Sequence, residues 1–391
     1  MPSSLAVVLV GPGLVGSTLL SQIAANKAEH AKRGLDLRVA AVANSRALLA
    51  ENPAGAGVNL ESDAWKAGLA DPAAHRGEAT LDAVASAVEA LVCKDSGVVV
   101  CDCTASGAVA GEYSRWLRAG ASVVTPNKKA NSSSKAGYAE LRELSRRGEP
   151  LAGPRYFYEA TVGAGLPILS TLQSLIATGD KVKRIEGIFS GTLSYIFNEY
   201  DATKRFSDVV KEAKSLGYTE PDPRDDLDGM DVARKVTILA RECGLDAIED
   251  AAAVEKRSLV PAELKDVASI DEFMARLPDF DDAISEEARA ADAEGKVLRC
   301  VGGVDCENGT VSVELGRYDR SHPFAQLKGS DNIVSFQTER YDSQPIIVRG
   351  PGAGKLPKTV RAVRVWRWFS QALPRLQKHV SFVKIDVDAL S

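Results

Sequence analysis

Two short stretches concentrate the residues able to do chemistry. The first is Gly11-Pro12-Gly13-Leu14-Val15-Gly16, which has GxGxxG spacing. The first glycine permits a tight turn, the second lets backbone approach a pyrophosphate, and the third lets helix pack on strand. The N–H groups of the following helix then face the phosphates. Gly11, Gly13, Leu14, Val15 and Gly16 are therefore expected to bind a dinucleotide. The second stretch is GYTEPDPRDDLDGMDVARK, residues 217–235, with six carboxylates and three cations. Asp231 and Lys235 stand at i and i+4, on one helical face. Spacing leaves two readings open: an exposed ion pair, or a partly buried ammonium suited to proton transfer or to binding an amino-acid substrate. Pro221, Pro223 and the apolar continuation VTILA weigh against a solvated face.

Other residues complete these sites. An NAD pocket usually ends its second strand in Asp or Glu, which holds the ribose hydroxyl. Here that position reads Asn44-Ser45-Arg46, without an acid. A guanidinium can pair with a 2′-phosphate, so Arg46 favours NADP over NAD, the alternative being a solvated loop cation. Thr104 follows a strand end in CDCTAS, where a nucleotide would lie. Lys128 and Lys129 follow another in VVTPNKKA. One of these ammonium groups could reach a carbonyl near a nicotinamide, or both could be surface charge. Glu159-Ala160-Thr161-Val162-Gly163-Ala164-Gly165-Leu166-Pro167 is rich in small residues and reads as a cation cradle or a tight turn into a helix.

The elements that must position these residues follow from periodicity. The apolar run Leu5–Val10, a helical LVGSTLLSQIAANKA and a second run from Leu37 to Ala43 make a βαβ unit. Strands at 97–102 and 121–124 and helices near 107–118 and 134–146 continue the alternation. Residues 1–150 thus read as a Rossmann-type, doubly wound parallel sheet. Residues 151–340 read as an α+β domain: a strand at Arg155–Tyr158, a helix over 165–178, a strand over 183–189, and helices near 206–216 and 226–242. An exposed helical segment is expected over 250–294. VLRCVGGVD and TVSVELGRY form a hairpin through ENG. The remaining 341–391 are a C-terminal segment.

Composition excludes several classes. The 391 residues are 45% hydrophobic and 26% charged, near globular averages. A net charge of −5 argues against nucleic-acid binding. No run approaches the roughly 20 apolar residues of a bilayer span. Six cysteines are too few for a disulfide framework. Cys101 and Cys103 share a strand face as buried hydrophobes, and four scattered histidines suggest no zinc site. The N-terminus has no basic n-region, so a cytoplasmic location is expected.

The segments GPGLVG, CDCTAS, TPNKKA, EATVGAGLPI, IEGIFSGTLSYIFNE, GYTEPDPRDDLDGMDVARK, SHPFAQLKGSDNIV and RGPGAG resemble the homoserine dehydrogenase family, in its monofunctional form without an aspartokinase domain. EATVGAGLP and GYTEPDPRDDL are the most specific. The resemblance implies NAD(P)-dependent interconversion of L-aspartate 4-semialdehyde and L-homoserine, in the branch leading to threonine, methionine and isoleucine; with Arg46 this is expected to be a reversible NADPH-dependent reduction. It implies that Lys235 is the catalytic acid, that Glu220, Asp231 and Lys128 bind substrate, and that Gly217 and Gly354 contact cofactor through backbone. It further implies a sodium site at Glu159, Val162, Ala164 and Leu166, and a homodimer. It implies too that the C-terminal segment 341–391 returns to the nucleotide domain, but past Gly354 the chain departs from the family's small-residue helix: residues 355–391 hold eight Lys/Arg against two Asp/Glu and include Trp366 and Trp368. The alternative reading is a non-catalytic dinucleotide-binding protein, inactive through this tail.

Overall fold

A computed structural model describes residues 3–352, except 52–54, 75–78, 94–96, 146–152, 202 and 246–247. Gly354 and the tail lie outside the described residues. The described chain divides into two compact units, up to Thr161 and from Val162 onward.

In the first unit, β1 (Ser3–Val10), α1 (Leu14–Lys32), β2 (Leu35–Ala43) and β3 (Leu48–Ala50) are followed by α2 (Ala64–Ala70) and α3 (Leu81–Val92). Then come β4 (Val98–Asp102), α4 (Gly107–Gly111), α5 (Tyr113–Arg118), β5 (Ser122–Val124), α6 (Lys129–Ser132), α7 (Lys135–Leu144) and β6 (Tyr156–Phe157). The sheet order is β3-β2-β1-β4-β5-β6. All pairs are parallel except the edge pair β2–β3. The order reverses beside β1, so the ends of β1 and β4 open a crevice, the usual ligand position in such sheets. The unbroken apolar runs of β1 and β4 are explained by helices on both faces: Leu5–Val10 and Val98–Cys101 are all buried. The single helix expected over 107–118 is two, interrupted at Glu112, where Gly107 and Gly111 weaken helix propensity.

The second unit contains α8 (Ile168–Ala177), β7 (Val182–Ile188), α9 (Gly191–Glu199), α10 (Phe206–Ser215), α11 (Arg224–Leu227) and α12 (Met230–Glu242). It continues with β8 (Glu255–Lys256), α13 (Ile270–Arg276), α14 (Asp281–Ala293), β9 (Lys296–Asp305), β10 (Thr310–Asp319), β11 (Asp331–Thr338) and β12 (Ile346–Pro351). The sheet order β12-β11-β7-β9-β10-β8 is antiparallel apart from β8 on β10. The hairpin through Glu307-Asn308-Gly309 is present as β9–β10.

The second unit departs from the sequence expectations at two segments. The helix placed at 226–242 is α11 and α12, separated at Gly229, whose φ of +74° cannot continue a helix. The segment 250–294 is neither continuous helix nor exposed. It contains β8, α13 and α14, and buries Val254, Leu264, Phe273, Leu277 and Ile284. Pro261 and Pro278 interrupt it, and its acid-rich composition hid the apolar spacing.

Arg299, 5% exposed, ties this unit together through four backbone carbonyls. It donates to Phe197 O and Leu298 O at 2.7 Å and to Phe324 O and Ala325 O at 3.0 Å. With no carboxylate among these partners, burial lowers its pKa to about 10.

Candidate active site

The glycine turn has the geometry its spacing requires. Gly11 has φ +86°, and its N–H donates to Ala43 O at 2.9 Å, joining the turn to β2. A Cβ on Gly16 would lie 2.3 Å from Gly11 O, so only glycine lets α1 approach β1 this closely. A Cβ on Gly13 would meet nothing within 4 Å, which leaves the backbone open to a ligand. Around the turn lies a cleft of about 550 Å³, lined by Gly11, Pro12, Gly13, Asn44, Ser45 and Thr104 among others. Leu14 is exposed and Val15 half-buried at the start of α1. Arg46 is exposed in the loop after β2, where Asn44 Oδ1 accepts from the N–H groups of Arg46 and Ala47 at 2.7 and 2.8 Å.

Behind the cleft, a buried carboxylate organises two loops. Asp102 is fully buried and accepts from Thr104 N–H at 2.7 Å, from Asn127 Nδ2 at 2.9 Å and from the Tyr113 hydroxyl. Burial and the Asp102 charge push the Tyr113 phenol well up, so it remains a donor. Asn127 also binds Ser106 O at 2.9 Å and accepts from Lys129 N–H at 3.1 Å. Thr104 and the half-buried Lys128 are thereby held by one network. Sequence reading passed over Asp102 because an acid inside an apolar strand looks like an irregularity until its partners are known.

In the second unit, Lys235 and Asp231 do share a face. Their charged groups are 2.6 Å apart, with the lysine side chain 12% exposed and the aspartate 47%. Lys235 Nζ also donates to Phe189 O at 2.8 Å. Helix α12 lies close on the sheet because β9 carries Gly302, where a Cβ would be 2.6 Å from Val236 Cγ1. This packing buries the lysine stem and leaves its head at the helix edge.

The loop before α11 is stiffened at several points. Tyr218 stacks on Tyr195 with ring centroids 4.2 Å apart. Arg224 pairs with Asp222 and donates to Val267 O at 2.8 Å. Glu220 is exposed, and its N–H donates to Asp226 Oδ2 at 2.7 Å. Asp226 Oδ1 lies 2.7 Å from the Thr192 hydroxyl, which is also 2.7 Å from Tyr218 O. Desolvation raises the Asp226 pKa to about 6. Asp226 is the residue that sequence reasoning missed: six acids crowd this segment, and spacing does not reveal which one the fold buries. Gly217, exposed with φ +72°, turns the chain out of α10. At the start of the unit, Val162 is buried, and Gly163 and Ala164 have φ of +75° and +53°. Leu166 N–H donates to Gly163 O at 2.9 Å. Glu159 is buried at the end of the first unit.

The Asp226 shift has a defined sign. Its folded pKa lies above the ordinary 3.8, so the folded state binds the proton more tightly than the unfolded chain does. Ionisation is therefore a penalty on folding, absent below pH 3.8, growing towards pH 6 and constant above. Asn in its place can donate to Thr192 Oγ1 and accept from Glu220 N–H. Asp226→Asn is expected to stabilise the protein by about 1–2 kcal/mol above pH 6, allowing for partial solvent screening, and to be neutral near pH 4. Denaturant unfolding at the two pH values checks this; an equal effect at both contradicts it.

The homoserine dehydrogenase family model matches residues 167–364, and the homoserine dehydrogenase NAD-binding domain matches residues 11–150. The homoserine dehydrogenase of Saccharomyces cerevisiae is 45% identical over 352 residues, covering 89% of this chain and 93% of that one. The chain belongs to the homoserine dehydrogenase family. A maize chloroplastic bifunctional aspartokinase/homoserine dehydrogenase is 52% identical over 353 residues, covering 90% of this chain. The chain spans 37% of the length of that bifunctional relative. A solved Candida auris structure of unknown function superposes with a TM-score of 0.83 at 40% identity, covering 95% of this chain and 98% of that one. The family's NAD-binding domain thus coincides with the unit that holds the glycine turn and its cleft. No helix among the described residues is long and apolar enough to cross a membrane.

Proposed function

We propose that the chain is a homoserine dehydrogenase that reduces L-aspartate 4-semialdehyde to L-homoserine with NADPH, reversibly, in the threonine, methionine and isoleucine branch of amino-acid biosynthesis. The observation that carries the reading is the Lys235 ammonium, largely buried yet held at a helix edge by Asp231 and Phe189 O. Hydride adding to an aldehyde carbon builds negative charge on oxygen. A positioned ammonium offsets that charge and donates the proton that makes the alcohol.

The remaining roles, that of Asp226 apart, are those that the family resemblance implies, and the charges present suit them. Glu220, Asp226 and Asp231 receive the substrate ammonium, and Lys128 its carboxylate or the carbonyl beside the nicotinamide. Residues 1–150 serve as the nucleotide domain and 151–340 as the catalytic and dimerisation domain, whose sheet continues through β12 to Pro351. Gly11, Gly13, Leu14, Val15, Gly16 and Thr104 hold the dinucleotide, which supplies the hydride when bound, with Gly217 offering backbone to it. The oxygen-rich segment Glu159, Val162, Ala164 and Leu166 suits a hard monovalent cation, Na⁺, its left-handed turn at Gly163–Ala164 redirecting successive carbonyls. A cytoplasmic homodimer completes the reading.

Arg46 carries the preference for NADP(H), since a guanidinium can grip a 2′-phosphate that a hydroxyl cannot replace. Arg46→Ala is expected to weaken NADPH by about 10–100-fold, the worth of a charge-assisted pair, and to leave NADH unchanged. Equal loss for both cofactors contradicts the assignment. The reading as a whole is tested by adding L-aspartate 4-semialdehyde to the full chain with NADPH, in Na⁺ and in an inert organic cation. NADPH loss with homoserine formation, faster in Na⁺, is expected. NADPH binding without turnover favours the non-catalytic alternative, for which the divergent residues 355–391 are the motivation.

A further inference from the structure

Phe189 follows β7, and its carbonyl accepts from two donors. One is Lys235 Nζ at 2.8 Å and the other is Asn332 Nδ2 at 3.3 Å. Asn332 stands in β11 and is 2% exposed. Its Oδ1 is also buried and has no hydrogen-bond partner among the described residues. A flipped amide would set oxygen against the Phe189 oxygen, so the donor end must face Phe189. Gly352 closes over the other end: a Cβ there would lie 2.7 Å from Asn332 Oδ1 and 2.8 Å from Ser330 O. An amide buried with its oxygen unpaired costs folding free energy that an apolar side chain of the same shape would not. Stability alone therefore does not account for asparagine at this position; its donor does.

We propose that Asn332 is a positioning residue for the reduction, fixing the Phe189 carbonyl on which the Lys235 ammonium is oriented. The inference rests on Lys235 being the proton donor. A carbonyl oxygen has two lone pairs, and the amide occupies one of them. The peptide plane is then held, and the ammonium must use the other. An ammonium has three protons. The bonds to Asp231 and Phe189 orient the group, and with it the direction from which a proton is presented to substrate. Without Asn332 the carbonyl can tilt towards the ammonium and hold it back from the aldehyde oxygen.

The test uses the full chain with NADPH and L-aspartate 4-semialdehyde. Asn332→Leu keeps the shape and removes the donor. It is expected to lower kcat by about tenfold or more while the KM for NADPH stays put, as misplacement of a reacting group predicts. The solvent deuterium isotope effect on kcat should rise, because proton delivery becomes slower relative to the other steps. Asn332→Asp restores a donor only when its carboxyl is protonated, so its activity should recover towards acid pH relative to wild type. Unchanged kcat in Asn332→Leu, or a loss of kcat with an unchanged isotope effect, overturns the proposal. Should Asn332→Leu fail to fold, Asn332→Asp decides: a rate that follows the wild-type pH profile overturns it. Lys235→Met is run alongside. Wild-type turnover in that variant sinks the reading of Lys235 itself, whereas an inactive Lys235→Met beside a normal Asn332→Leu sinks only the role given to Asn332.

Discussion

Lys235→Ala is expected to lower kcat by about a thousandfold, within the usual range for a positioned general acid, while NADPH binds nearly as before. The two effects separate because the dinucleotide turn at Gly11–Gly16 and Lys235 belong to different compact units. The lysine side chain is 12% exposed and reaches two acceptors, Asp231 at 2.6 Å and Phe189 O at 2.8 Å. Alanine removes the ammonium but spares the packing of Val232 and Val236 on Gly302, so the helix should stay in place. Loss of the ammonium leaves the developing alkoxide without its counter-charge and without its proton. Stopped-flow reduction with saturating NADPH measures this directly. Turnover near wild type would remove Lys235 from the mechanism, and loss of NADPH affinity in parallel with kcat would point to unfolding.

Gly16→Ala is expected to weaken NADPH binding by about a hundredfold. The added methyl would stand 2.3 Å from Gly11 O and 3.1 Å from Leu9 Cδ2, well inside contact distance. Relief requires α1 to lift from β1 or the Gly11 peptide to turn, and either displaces the N–H groups that face the pyrophosphate. Overpacking of this kind costs about 1–3 kcal/mol, and its upper end corresponds to about a hundredfold in affinity. Titration of NADPH fluorescence, with thermal melting in parallel, distinguishes the two reliefs: a moved peptide lowers affinity alone, a lifted helix lowers both. Wild-type affinity would show that the turn does not cradle the cofactor. Gly13→Ala is the internal contrast, since its Cβ meets no protein atom and could clash only with a ligand.

Both of these sites are legible in the sequence, while their buried polar neighbours are not. The glycine turn is legible because it is a backbone requirement: a positive φ at Gly11 and a forbidden Cβ at Gly16 leave one residue type. The Asp231–Lys235 pair is legible because helical spacing sets its geometry before any tertiary contact forms. Asp226 was not legible, because its pKa is raised by burial, which spacing does not show, and its hydroxyl partner Thr192 lies on α9, remote in sequence. Asn332 was hidden for the same reason: an asparagine near a strand start is an ordinary residue until β11 pairs with β7 and brings its amide to Phe189. Element types followed from periodicity, whereas the break at Gly229 and the burial within 250–294 depended on what packs against those segments.

In the proposed reduction one hydride passes from the nicotinamide to the aldehyde carbon while Lys235 protonates the oxygen. It is tested by a single turnover with NADPH deuterated at the transferring C4 position, in the presence of L-aspartate 4-semialdehyde. The expected product is homoserine carrying one deuterium at its hydroxyl-bearing carbon in the wild-type chain, with no product on that timescale in Lys235→Ala. Deuterated homoserine formed equally fast by Lys235→Ala, or NADPH retained intact by the wild-type chain, would contradict it.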